Sequence, residues 1–176
     1  MGLQALLFDL DQTLVMTQEI FPLRQQRLWT QIEQHFYRTR LPPGTRAFLQ
    51  HLQQFPLQFG VITSSPSSYA RKLLAYHRVD LPVLAAYHDT RRHKPYPDPL
   101  LRAAQQLHLP PSQCAYLGDA DEDILAAVQA QMLPLGLSWD GTLKVSRVAP
   151  QAHAICSNWQ EVLVYFEALI QEGNVS

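Results

Sequence analysis

An α/β protein built as a three-layer, Rossmann-like parallel sheet is expected from three observations. Short apolar runs alternate with segments of helical periodicity, prolines separate the two, and acidic or hydroxyl side chains stand just after the apolar runs. Alternation of this kind argues for parallel strands covered on both faces, because each return to the sheet needs a crossover helix. At 176 residues the chain suits one domain, 1–176, with a short insertion over residues 14–41.

The elements follow in order. Gln4 to Leu10 reads as the first strand. Phe21 to about Arg38 reads as one helix, with Pro22 in its first turn and Phe21, Gln25, Leu28, Ile32 and Phe36 along one side. Pro42-Pro43-Gly44 stops it, and a second helix runs from Thr45 to Gln54. Phe59–Ile62 is the next strand, after which Ser65-Pro66 forms an N-cap and N1 pair for a helix bearing Tyr69, Leu73 and Tyr76. Val83 to Tyr87 is a third strand. Asp98-Pro99 opens a helix with Leu100, Leu101, Ala104 and Leu107, closed by Pro110-Pro111. Cys114 to Leu117 is a fourth strand ending at Gly118-Asp119. A helix through Ile124, Leu125, Val128 and Met132 and a strand from Leu133 to Leu137 follow. A short sixth strand is expected at Ala152 to Cys156, then a capping box at Ser157–Gln160 ahead of a last helix.

Composition narrows the function classes. Hydrophobic residues make up 47% and charged residues 16%, with a net charge of −1 and a pI near 6.6. No basic footprint for nucleic acid results, and no apolar run reaches membrane-spanning length. Neither a leader pattern nor a zinc spacing is present, so Cys114 and Cys156 are expected as buried free thiols in a cytoplasmic protein.

The chemistry concentrates at strand ends. Asp9 and Asp11 close the first apolar run, and two carboxylates so near each other repel unless they share a cation or a proton. Thr63 and Asp119 also follow strands, and Lys94 lies in the loop after the third. Ligands of parallel sheets bind outside the carboxyl ends of the strands, where all of these residues are expected to meet.

The series Asp9-Leu10-Asp11-Gln12-Thr13, Thr63, Lys94-Pro95 and Gly118-Asp119 through Asp123 resembles the haloacid dehalogenase superfamily, made mostly of phosphatases. His93–Leu101 and Gly118–Ala127 look most like its phosphoglycolate phosphatase-like branch. The resemblance implies a phosphatase of small phosphorylated substrates, with Asp9 as nucleophile forming an aspartyl-phosphate. A strand's period of two places Asp11 to protonate the leaving oxygen and then activate water. The resemblance further implies Mg²⁺ held by Asp9, the backbone carbonyl of Asp11, and Asp119, with Asp123 joining directly or through water. The alternative for Asp123 is a solvated carboxylate in a helix first turn. The Thr63 hydroxyl and the Ser64 amide would hold the phosphate, and Lys94 would neutralise charge on nucleophile and phosphate. Thr13 is expected to fix the turn after the strand.

Family members often carry a helical cap between the first two motifs; here residues 14–41 leave room for little more than one helix. A reduced cap implies either larger, more varied substrates or a homodimer in which a second copy covers the cleft through the Phe21–Phe36 face. Packing of that face on its own domain is the preferred alternative. Arg24, Arg27, Arg38 and Arg40 would meet a distal anion or be exposed; Arg91, Arg92 and His93 pose the same choice. Competing functions are a phosphotransferase or sugar-phosphate mutase, which needs a closing cap, and a phospho-ligand binding module without turnover. A dehalogenase would lack Asp11.

Overall fold

The computed structural model describes residues 2–139 and 149–173. Among the described residues six strands form one sheet: β1 Ala5–Phe8, β2 Gln58–Ile62, β3 Val83–Ala85, β4 Cys114–Gly118, β5 Leu133–Leu137 and β6 Ala154–Cys156. Every pairing is parallel, in the order β3-β2-β1-β4-β5-β6. The strands are shorter than expected at several ends; β1 stops at Phe8, and β3 stops at Ala85 before a 3₁₀ turn over Tyr87–Asp89.

Alternation of side chains splits each strand between two cores. Leu6 and Phe8 of β1 join Val61, Leu117 and Leu135 beneath α3 (Thr45–Leu52), α4 (Ser67–Tyr76) and α7 (Trp159–Gly173). Ala5 and Leu7 point the other way and pack with Tyr116 against α5 (Asp98–Leu107) and α6 (Asp121–Gln129). Both faces of the sheet are therefore covered, as the apolar runs required. The order reverses between β1 and β4, leaving a crevice at their carboxyl ends.

Residues 14–41 differ from expectation. In place of one helix there are α1 (Phe21–Gln25), α2 (Trp29–Ile32) and a 3₁₀ turn over Glu33–Arg38. The break is a Schellman ending: Arg27 lies at φ 55°, Leu28 N–H donates to the Leu23 carbonyl and Arg27 N–H to that of Arg24. Glycine usually fills such a left-handed position, so an arginine there gave no stop signal. The segment's two ends are joined where Met16 and Arg40 exchange backbone hydrogen bonds of 2.8 and 3.2 Å. Ile32 and Phe36 are buried in the protein's own core, so this half of the face considered for a second copy is used internally, while Gln25 is exposed and Phe21 stays 44% exposed.

Two cap assignments also shift by one residue. Helix α4 begins at Ser67 rather than Pro66, because the Ser65 hydroxyl is engaged elsewhere. At α7 the cap is Asn158, whose Oδ1 accepts from Glu161 N–H while Glu161 reaches back to Ser157 N–H. Both cysteines are buried and free, and burial pushes each thiol up to about 11.

Candidate active site

The crevice gathers Asp9, Lys94, Asp119 and Asp123 from three separate stretches of chain. Asp9 continues β1 by one residue, its N–H donating to the Leu117 carbonyl of β4 at 2.9 Å. Asp119 follows β4, and Asp123 stands in the first turn of α6. Carboxylate oxygens of Asp9, Asp119 and Asp123 lie within 4.8 Å of one another. Lys94 enters from the loop before α5 with its side chain only 3% exposed. Its Nζ donates to Asp9 Oδ1 at 2.7 Å, Asp123 Oδ1 at 2.5 Å and Tyr116 Oη at 2.9 Å.

One ammonium thus faces three carboxylates in a largely buried space. Burial pushes Asp9 well above the usual carboxylate range; Lys94 opposes this, while Asp123, Asp119 and Asp11 add to it. Burial and then Asp123 raise Asp119 to about 6. Burial works against the charged Lys94, but Asp123 and Asp9 outweigh it and hold the ammonium protonated. The cluster is short of positive charge, and its donors are all hard oxygens. A divalent cation of the Mg²⁺ kind fits that deficit.

Asp123 is not a solvated helix-start carboxylate. It is 2% exposed, and Oδ2 also accepts from Ala120 N–H at 3.1 Å. Gly118 makes this possible, since a Cβ there would overlap the Asp123 carboxyl group. Thr13 does more than shape its turn, because its hydroxyl donates to Asp119 Oδ1 at 3.1 Å and ties the β1 loop to β4's end.

Asp11 lies apart from the three-carboxylate cluster. Its Oδ1 accepts from Thr17 Oγ1 at 2.9 Å and Tyr69 Oη at 2.8 Å; its Oδ2 accepts from Ser65 Oγ and Arg24 Nη2, both at 2.8 Å. These four partners escaped the sequence reading. Tyr69 reads as core, Ser65 as a cap and Arg24 as either an anion contact or exposed surface, and Thr17 stands in no motif, since sequence spacing does not show where a side-chain tip ends. Tyr116 was similarly hidden inside an apolar strand, although a tyrosine buried in a sheet needs a partner for its hydroxyl.

Thr63 is buried and accepts Ser65 N–H on Oγ1 at 3.0 Å, while Ser64 is exposed beside it. Arg38 and Arg40 turn to Glu19 at 3.5 and 3.8 Å, and Arg92 to Asp98 at 3.0 Å. Arg24 and Arg27 instead line a cleft of about 320 Å³ together with Phe21, Trp29, Ser64 and Tyr87.

Residues 23–136, well over half the chain, match the family described as Haloacid dehalogenase-like hydrolase. The chain belongs to that family. The matched stretch holds Thr63, Lys94, Asp119 and Asp123 and begins after Asp9 and Asp11, whose placement rests on the geometry above. A phosphoglycolate phosphatase of Xanthomonas campestris is 34% identical over 98 residues, 54% of this chain and 44% of that protein. The phosphoglycolate phosphatase of Escherichia coli is 32% identical over 105 residues, 57% of this chain and 41% of that one. The chain therefore spans less than half the length of these relatives, and the family likeness points to their branch. A solved hydrolase from Pseudomonas syringae shares the fold with TM-score 0.77 at 20% identity, covering 95% of this chain and 99% of that one. Among the described residues no helix is long and apolar enough to cross a membrane.

Proposed function

We propose that this hydrolase-family chain cleaves phosphate monoesters through an aspartyl-phosphate on Asp9. The observation that carries this reading is Lys94, held between Asp9 and Asp123 at the sheet's reversal point, with Asp119 alongside. Lys94 occupies Asp9 Oδ1, so Oδ2 is the oxygen presented to phosphorus. Attack forms the Asp9 O–P bond and breaks the bond to the leaving alcohol, whose oxygen takes a proton from Asp11; to act so, Asp11 must first let go of Arg24 and take up a proton from solvent, since both of its oxygens accept hydrogen bonds in the structure. Water then attacks phosphorus, Asp11 takes its proton, and the Asp9 carboxylate departs. The Thr63 hydroxyl and Ser64 N–H orient the phosphoryl oxygens, and Lys94 offsets the charge brought close to Asp9.

Asp9, Asp119 and Asp123, with the Asp11 carbonyl, are the groups that would hold Mg²⁺. When bound, the ion would screen the nucleophile from the phosphate dianion. Residues 14–41 would serve as a reduced cap, since Arg24 links this segment directly to Asp11. Phosphate release from a panel of monoesters, with Mg²⁺ and with chelator, tests the reading. Asp9→Asn should abolish turnover, by about a thousandfold or more, with an unchanged far-ultraviolet spectrum. Full activity in Asp9→Asn would reject the nucleophile.

A further inference from the structure

We infer that the cleft under residues 21–29 receives the leaving alcohol, and that this alcohol carries a planar aromatic or heteroaromatic ring. The inference rests on the phosphatase reading for its orientation. The general acid marks where the leaving oxygen lies, and Arg24, which bonds Asp11 Oδ2 at 2.8 Å, also lines the cleft. Ser64, next to the phosphate-holding Thr63, lines it as well. An alcohol departing from phosphorus past Asp11 therefore enters this space.

Its walls and size select the ligand. A space of about 320 Å³ is at the scale of pockets that enclose whole ring-bearing ligands, well beyond a two-carbon acid. Tyr87 is braced by His93, stacked at 4.1 Å between centroids and 17° between planes, and Tyr87 also lines the cleft. Over the Tyr87 ring stands the Arg27 guanidinium, 5.8 Å from the centroid. Phe21, 44% exposed, and Trp29 supply further aromatic surface. A planar cation over a braced phenol marks a stacking slot: an incoming ring would lie on Tyr87 with Arg27 moving to its outer face.

A matched pair of substrates tests this. Adenosine 5′-monophosphate and ribose 5-phosphate present the same phosphoester and differ in the ring. The expected kcat/KM ratio favours the nucleotide by about tenfold or more, and Tyr87→Leu and Phe21→Ala each bring the ratio towards unity. Calorimetric binding of the same pair to Asp9→Asn should show the same preference without turnover. Equal kcat/KM or equal binding for the two would overturn the inference, as would a ratio untouched by both variants. Hydrolysis of neither these two compounds nor any monoester of the panel, with the binding preference intact, would reject the phosphatase reading and leave the ring slot standing.

Discussion

Replacing Lys94 with methionine keeps much of the side chain's length and removes the ammonium. In the folded protein Nζ is sealed among Asp9 Oδ1, Asp123 Oδ1 and the Tyr116 hydroxyl, so the variant leaves two buried carboxylates facing each other. Removing one partner of a buried ion pair typically costs about 3–5 kcal/mol, because the remaining charge loses its compensation. For a chain of this size, each kcal/mol lowers Tm by roughly 2–4 °C, so a fall of about 6–20 °C is expected at neutral pH. Acid should shrink the loss, since Asp9, already pushed up by burial, takes a proton and the repulsion fades. Added Mg²⁺ should also recover part of it, by supplying charge to the same oxygens. Thermal unfolding of both proteins at about pH 5 and about pH 7.5, with and without Mg²⁺, reads all three effects. A Tm unchanged at neutral pH, or lowered equally at both values, would show that Lys94 is not the counter-charge of this cluster.

Two further outcomes follow from the same geometry. Gly118→Ala places a Cβ against the Asp123 carboxyl group, which must rotate away from Lys94 and Ala120 N–H. The expected cost is about 1–3 kcal/mol by denaturant titration, with weakened Mg²⁺ binding by calorimetry; wild-type values for both would contradict the packing. Asp119 is shifted from 3.8 to about 6, with burial as the main cause. An acid raised in the folded state stabilises it while protonated, and that contribution is lost as pH rises through the folded value. The metal-free protein should therefore lose stability from this group between about pH 4 and pH 6, and Mg²⁺, which needs ionised ligands, should raise Tm more at about pH 7.5 than at about pH 5. A Mg²⁺ effect independent of pH would remove Asp119 from the ligand set.

Burial on two faces forces apolar runs separated by crossover helices, so the layered parallel sheet and the strand ends at which acidic residues stand can be read from residue order. Asp9, Thr63 and Asp119 were marked by standing directly after apolar runs, whereas the roles expected of Thr63, Lys94 and Asp123 came from the resemblance to the family's motifs. The break at Arg27 was not legible, since a left-handed residue without glycine leaves no mark in the pattern. Tertiary structure alone decided what surrounds Asp11, where Thr17, Arg24, Ser65 and Tyr69 arrive from separate elements. It likewise decided that Arg24 and Arg27 face a cleft while Arg38 and Arg40 pair with Glu19. Periodicity reports which face of an element is buried, whereas a long polar side chain ends several ångströms from its backbone, at a place set by the neighbouring elements.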